Sequence, residues 1–362
     1  MKCRHIFMLG SALLILSSIC RAQDNPKVEN ATAALVRAFE RHDMVMLGEI
    51  HGNKQEYQWL RSLVSTSEFA DRVDDIVMEF GNSLYQQSVD RYVGGEDIPL
   101  EQVQKAWRNT VGAIGPPSPV YASLYQAVRE TNLKRRGKHQ IRIVCGDPYI
   151  DWGTVKDRED IAPYLGNRDQ WYAEVAKKEV LAKKHRALLI AGEGHFLRWN
   201  GPGYIERELR AAGAQTLLIV FGTNAVGGYD DLDKRFDSWP RPAIVSLADN
   251  WVGELPAMPV LSGGTEPPTS EKLAHSADAV LYLGPRDSLT QVFMPRAELD
   301  GTPYGKEIER RLTIEGFPAD FVRDKEEAPQ FSRPQPVTGG PPPLPPMPKN
   351  MGAPLPPRPP SQ

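Results

Sequence analysis

The chain has 362 residues, 41% hydrophobic and 25% charged, with a formal net charge of −3 and three cysteines. The acid-leaning balance gives no footprint for a nucleic-acid partner. Two of the three cysteines sit at the extreme N-terminus, which excludes a framework of internal disulfides, so stability must come from an ordinary core.

Taken in order, residues 1–22 read as a secretory signal peptide: Lys2 and Arg4 form a basic start, Ile6–Ile19 is a short apolar run, and Cys20-Arg21-Ala22 is an acceptable cleavage site. Export to the periplasm or the medium is expected, with no integral membrane segment after cleavage. Loss of Lys2, Arg4 and Arg21 takes the charge to −6 and leaves Cys145 as the one cysteine. It closes a strand-like run and reads as a buried structural thiol.

The next stretches alternate in period. Asn30–His42 is expected to be helical, with Leu35, Ala38 and Phe39 on one face. Met44–Leu47 is the first expected strand, and Tyr57, Leu60 and Val64 recur at helical spacing. Asp75–Phe80 holds the second strand. Ser83–Val93 and Pro99–Thr110 read as helices joined by Gly94-Gly95, Gly112–Pro119 as a loop, and Val120, Leu124, Ala127 and Val128 as another helix. Ile141–Cys145 is the third strand, 150–166 is loop-like, and Trp171–Lys184 is helical. Ala187–Ala191 is the fourth strand, Ile205–Ala212 a helix and Thr216–Phe221 the fifth strand. Beyond residue 225 the pattern weakens; Ala243–Leu247 and Ala279–Leu283 suit further strands and Tyr304–Glu315 a last helix.

Short apolar runs alternating with amphipathic helices predict an α/β fold: a mainly parallel sheet flanked by helices. Residues 83–133 exceed one crossover and are expected to form a helical insertion between the second and third strands. The domain is expected over 30–320. Residues 327–362 form a proline-rich tail, with 14 prolines from Pro329 onward. Proline cannot donate to a ladder or continue a helix, so the tail is expected to be disordered polyproline II, dispensable for stability. Its functional alternative is a tether, or a ligand for an aromatic-lined groove on a protein partner.

Two of the strands end alike. Met44–Gly52 closes on Gly48-Glu49-Ile50-His51, and Ala187–Phe196 closes on Gly192-Glu193-Gly194-His195. Each apolar run reads as a strand buried on both faces, and a glycine at its end permits a tight exit. Ligands of open α/β sheets bind at the carboxyl edge of the strands. Adding the residues after the other strands gives Glu49, His51, Glu79, Asp147, Glu193 and His195 at one edge, with Asp249 a weaker addition. Arg61 is a weaker anion-binding candidate, and the Trp107-Arg108-Asn109 helix end is as readily structural. There is no Gly-x-Ser-x-Gly elbow, His-Glu-x-x-His, Cys-x-x-Cys or phosphate loop. That disfavours a serine-triad hydrolase and a nucleotide-dependent enzyme.

At these residues the chain resembles the superfamily that joins ChaN-like haem-binding proteins, erythromycin esterases and Tiki proteases. Leu47-Gly48-Glu49-Ile50-His51-Gly52 resembles its opening Gly-x-x-His motif, Ile76-Val77-Met78-Glu79-Phe80 its second-strand glutamate, and Ala191-Gly192-Glu193-Gly194-His195 its second Gly-x-x-His. Val89–Gly95 is similar to the helix end between them. The similarity spans about 40–225, with the ChaN-like branch closest. The resemblance implies three chemistries: a histidine base positioned by glutamates in the esterases, a metal-dependent protease in the Tiki branch, and haem held by a tyrosine in the ChaN branch.

Two classes of function follow. In a hydrolase, His51 is the base, Glu49 or Glu79 holds it, and His195 is a second acid/base. The metal variant sets His51, His195 and one or two of Glu49, Glu79, Glu193 and Asp147 around a divalent ion. The alternative is a haem- or iron-binding protein of the cell envelope without catalysis, with the histidines, Tyr149 or Tyr164 on iron. Either takes a small-molecule ligand or substrate; the cofactor is a divalent metal, haem or neither.

Overall fold

A computed structural model describes residues 25–111, 117–198, 201–222, 234–257, 271–317, 326–330 and 348–359. The expected leader and most of the tail lie outside the described residues. Eight strands form one sheet: β1 (Val28–Asn30), β2 (Met44–Glu49), β3 (Asp75–Asn82), β4 (Arg142–Asp147), β5 (Ala187–Gly192), β6 (Thr216–Phe221), β7 (Ala243–Ser246) and β8 (Ala279–Tyr282). Their order is β1-β7-β8-β6-β2-β5-β3-β4. From β8 to β4 every pairing is parallel, and only β7 and β1 at the far edge pair antiparallel. The sheet is thus mainly parallel and flanked by helices, as expected. β9 (Thr290–Val292) and β10 (Glu327–Pro329) form a separate antiparallel pair.

The central strands are buried at every position because both faces are covered. Side chains alternate between two cores. Val45, Leu47, Ile76, Met78, Leu188 and Ile190 face one, beneath the helices Ala31–Ala38, Lys54–Val64 and Val120–Lys134. Met44, Met46, Val77 and Leu189 face the other, beneath Arg168–Glu179 and Tyr204–Ala211. The insertion between β3 and β4 is helical, carrying Gln86–Val93, Leu100–Val103, Lys105–Arg108 and Val120–Lys134.

Several expectations change. Strands β2, β3 and β4 run on through Glu49, Glu79 and Asp147, so these carboxylates occupy the last turns of the ladder instead of the loops beyond it. The 150–166 stretch contains a helix, Arg158–Gly166, whose Asp157 side chain caps the Glu159 and Asp160 N–H groups. Pro163 inside it hid the helical pattern. Pro99–Thr110 is two short helices, not one. Because β7 runs antiparallel, Asp249 leaves the sheet at the opposite edge from His51 and drops out of the candidate set.

Two parts of the tail lie among the described residues. Residues 327–329 pair with β9, and 348–359 pack on the domain through several hydrogen bonds. Cys145 is a buried free thiol whose pKa burial pushes up. Among the described residues no helix is long and apolar enough to cross a membrane.

Candidate functional site

Strand order creates the site. β5 lies between β2 and β3, with Glu49 opposite Gly192 in the β2–β5 register. His51 leaves the end of β2, Glu79 stands near the end of β3, and the two meet over the end of β5. Gly192 leaves that space: a β-carbon there would lie 2.8 Å from His51 Cε1 and 3.5 Å from Glu79 Oε2. The first motif reciprocates, since a β-carbon on Gly48 would lie 2.8 Å from Glu193 Cγ. Each motif glycine is therefore small because of a residue delivered by the other motif.

Glu49 is nearly fully buried and holds His51. Its Oε1 lies 2.6 Å from His51 Nδ1, its Oε2 accepts from the Tyr57 hydroxyl at 2.6 Å, and the Tyr121 hydroxyl reaches Oε1 at 3.4 Å. A carboxylate only accepts, so Nδ1 carries the proton and Nε2 of the neutral ring is the free acceptor. Phe80 stands edge-on to the imidazole at 5.1 Å. The turn is pinned from outside: Val292 N–H donates to Gly52 O at 2.9 Å and Gln291 Nε2 to His51 O at 3.1 Å. Gly52 sits there at φ +76°, a conformation that suits glycine. About half of the His51 side-chain surface is open to solvent. Close packing of its ring by protein pulls its pKa down, yet the Glu79 and Glu49 carboxylates outweigh that and raise it.

Glu79 anchors the other half. Its Oε2 accepts from the Gly192 N–H at 2.6 Å; its Oε1 lies 3.0 Å from Arg168 NH1 and 3.4 Å from His195 Nε2. Burial pushes its carboxyl up, but Arg168, His195 and His51 together hold it well below the usual range. Arg168 also donates from Nε to Asp147 Oδ1 at 2.6 Å, and Asp147 Oδ2 takes the Val111 N–H at 2.5 Å. Burial pushes Asp147 up to about 6 against the pull of that guanidinium. His195 faces carboxylates from both ring nitrogens, with Asp169 Oδ1 2.5 Å from Nδ1. Burial opposes its charge, but Glu79 and Asp169 prevail and raise it to about 10, so it is an imidazolium at neutral pH.

The structure thus brings Glu49, His51, Glu79, His195 and Asp147 into one connected network. Glu193 is turned aside, its Oε1 accepting from Phe221 N–H toward β6. Tyr149 donates its hydroxyl to Pro356 O, so that oxygen is already engaged. Arg61 lies exposed on the Lys54–Val64 helix; Trp107 is core, and Arg108 pairs with Glu298. Four participants were not singled out from the sequence: Tyr57, Tyr121, Arg168 and Asp169. Tyr57 reads in the sequence as an ordinary helix-face residue, and Tyr121 lies in a helical stretch without a motif of its own. Arg168-Asp169 opens a helix that had been placed three residues later, and only the acid in its first turn is a local signal of that start.

A ligand atom from each of Glu49, His51 and Glu79 falls within 4.8 Å of the others. As arranged, they fit a divalent ion poorly. Three of the four carboxylate oxygens already accept hydrogen bonds from the protein or hold the His51 ring; the fourth, Glu79 Oε1, has ion-pair contacts with Arg168 and His195, whose positive charges already neutralise that carboxylate. A cavity of about 300 Å³ lies elsewhere, along the outer edge of β4, lined by Val144, Cys145, Trp171, Glu174 and Arg358.

No family model matches the chain, and no curated protein matches it. Among solved structures, a Bacillus cereus protein is 13% identical over 73% of this chain and 95% of that one, with a TM-score of 0.45. The type III effector HopBA1 is 14% identical over 72% and 97%, TM-score 0.37. ChaN of Campylobacter jejuni, described with cofacial haem binding, is 11% identical over 55% and 87%, TM-score 0.31. The structural neighbours thus include ChaN, at similarities too low to carry an argument about activity.

Proposed function

We propose that this chain is an exported hydrolase of the ChaN, erythromycin esterase and Tiki group, working by metal-independent acid–base chemistry. The observation that carries the reading is the 2.6 Å contact between buried Glu49 and Nδ1 of half-exposed His51, which leaves Nε2 as the ring's basic nitrogen close to the Glu79–His195 pair. A water held at Nε2 loses its proton to His51 as its oxygen attacks a carbonyl carbon. Glu49, braced by Tyr57, stabilises the imidazolium that forms. The developing oxyanion is met by the positive charge of His195, fixed in place by Asp169 and Glu79. When the tetrahedral adduct collapses, His51 returns its proton to the leaving oxygen or nitrogen.

The test is a panel of esters, amides and lactones assayed with the full chain, with and without a chelator, beside His51→Ala. The reading expects turnover that survives chelation and is lost in the variant. Activity that vanishes with the chelator and returns with zinc or manganese would move the site to the metal-dependent branch. A protein that carries a Soret band and hydrolyses nothing on the panel would make it a haem binder.

A further inference from the structure

Residues 348–359, Pro348-Lys349-Asn350-Met351-Gly352-Ala353-Pro354-Leu355-Pro356-Pro357-Arg358-Pro359, lie along one side of the domain. The carbonyl of Ala353 accepts from Asn167 Nδ2 at 2.8 Å, and that of Pro356 accepts from the Tyr149 hydroxyl at 2.7 Å. Those acceptors are three residues apart, and the exposed Pro354 and Pro357 share the same spacing. Three is the repeat of polyproline II. A proline-rich strand offers carbonyls and few N–H groups, so its receptor must supply donors and aromatic faces. This surface supplies both. Tyr149 packs edge-on to Trp171 at 4.8 Å and to Tyr164 at 6.3 Å. Arg358 sits 5.7 Å from the Tyr149 ring centre and donates to Ser83 O at 2.7 Å, while Leu355 packs on the larger core. At the other end, Glu159 accepts from the Lys349 and Asn350 N–H groups. Gly166 has no room for a side chain because a β-carbon would lie 1.8 Å from Met351 O.

The two donors occupy telling positions. Tyr149 is two residues beyond Asp147, and Asn167 immediately precedes Arg168. The docked segment therefore ties together the loop after β4 and the start of the Arg168–Glu179 helix, the two places that hold the Asp147–Arg168 pair. We propose that the Tyr149–Tyr164–Trp171–Asn167 surface is a receptor for a proline-rich strand. Its occupant is this chain's own 348–359 segment, and the occupied groove acts as a strap that fixes Arg168 relative to Asp147. This stands apart from the hydrolase reading and survives its failure.

Limited trypsin digestion of the full chain tests it, because Lys349 is cleavable while Arg333 and Arg358 are each followed by proline. Gly166→Ala, which pushes against Met351 O, and Tyr149→Phe, which deletes one donor, should each expose Lys349. The expected increase in cleavage rate is about tenfold, the worth of one lost hydrogen bond in a segment that opens before it is cut. Arg358→Ala changes only the tail and serves if a domain variant fails to fold. In Arg358→Ala, hydrogen exchange at the Ile150 and Asn167 amides should quicken together. Equal cleavage at Lys349 in the parent and all three variants would overturn the docking. Faster cleavage with unchanged exchange at both amides would overturn the strap.

Discussion

Gly192 and His51 belong to different motifs, 141 positions apart, yet one exists to accommodate the other: the glycine's missing β-carbon would stand 2.8 Å from His51 Cε1. This contact joins the two Gly-Glu-x-His repeats into one site. Gly192→Ala should displace the imidazole from Glu79 while leaving the strand intact. Turnover should fall about a hundredfold or more, since misplacing a catalytic group by about 1 Å has that effect. Comparing activity with urea stability checks it; a fully active Gly192→Ala would show that the two motifs do not cooperate.

Arg168 is a buried cation shared by Glu79 and Asp147. Arg168→Met should cost about 3–5 kcal/mol at neutral pH, because two desolvated carboxylates lose their partner. The deficit should shrink in acid as those carboxyls take up protons. Denaturant unfolding at pH 7 and pH 4 measures this, and an equal loss at both would mean that the guanidinium acts through packing alone.

The His195 pKa is raised from 6.5 to about 10 in the fold. A cation stabilised in this way contributes fully below its unfolded value and is lost as pH rises through the folded one. Stability should therefore decline between about pH 6.5 and 10, and Asp169→Asn should flatten that decline. If the parent and Asp169→Asn lose stability in parallel over this window, another group is responsible.

Glu49 fixes the His51 tautomer. Glu49→Gln can present its amide nitrogen to Nδ1 and turn the ring's acceptor away from the cleft, so activity should drop by about a hundredfold or more with the fold retained. His51→Ala and Glu79→Gln should abolish turnover; His51→Ala should barely alter melting because His51 is half-exposed. An His51→Ala protein that unfolds, yet keeps its turnover per folded molecule, would identify a structural histidine.

How much of this was legible in the sequence depends on the range of the interaction responsible. The runs at Met44–Leu47, Ile76–Met78, Ile141–Cys145, Ala187–Ala191 and Thr216–Phe221 announced buried strands, and their alternation with helices announced a mainly parallel sheet. Those are local signals, set by burial on two faces and by the period of the backbone. The common edge of Glu49, His51, Glu79 and His195 followed, because parallel strands all end at one side. Which strands are neighbours is not a local property. Only the tertiary structure inserted β5 between β2 and β3, and that placement explains why Gly192 is a glycine and why Glu193 turns to β6 while His195 turns to Glu79. Arg168 was silent for the same reason: an arginine at a helix start is usually solvated, and this one is buried because two strand-end carboxylates lie beneath it. For the described residues 348–359 of the tail, proline content says that the segment is poor in backbone donors, but cannot say whether a surface elsewhere in the chain donates to its carbonyls. Tyr149 and Asn167 supply those donors, and folding alone brings them side by side.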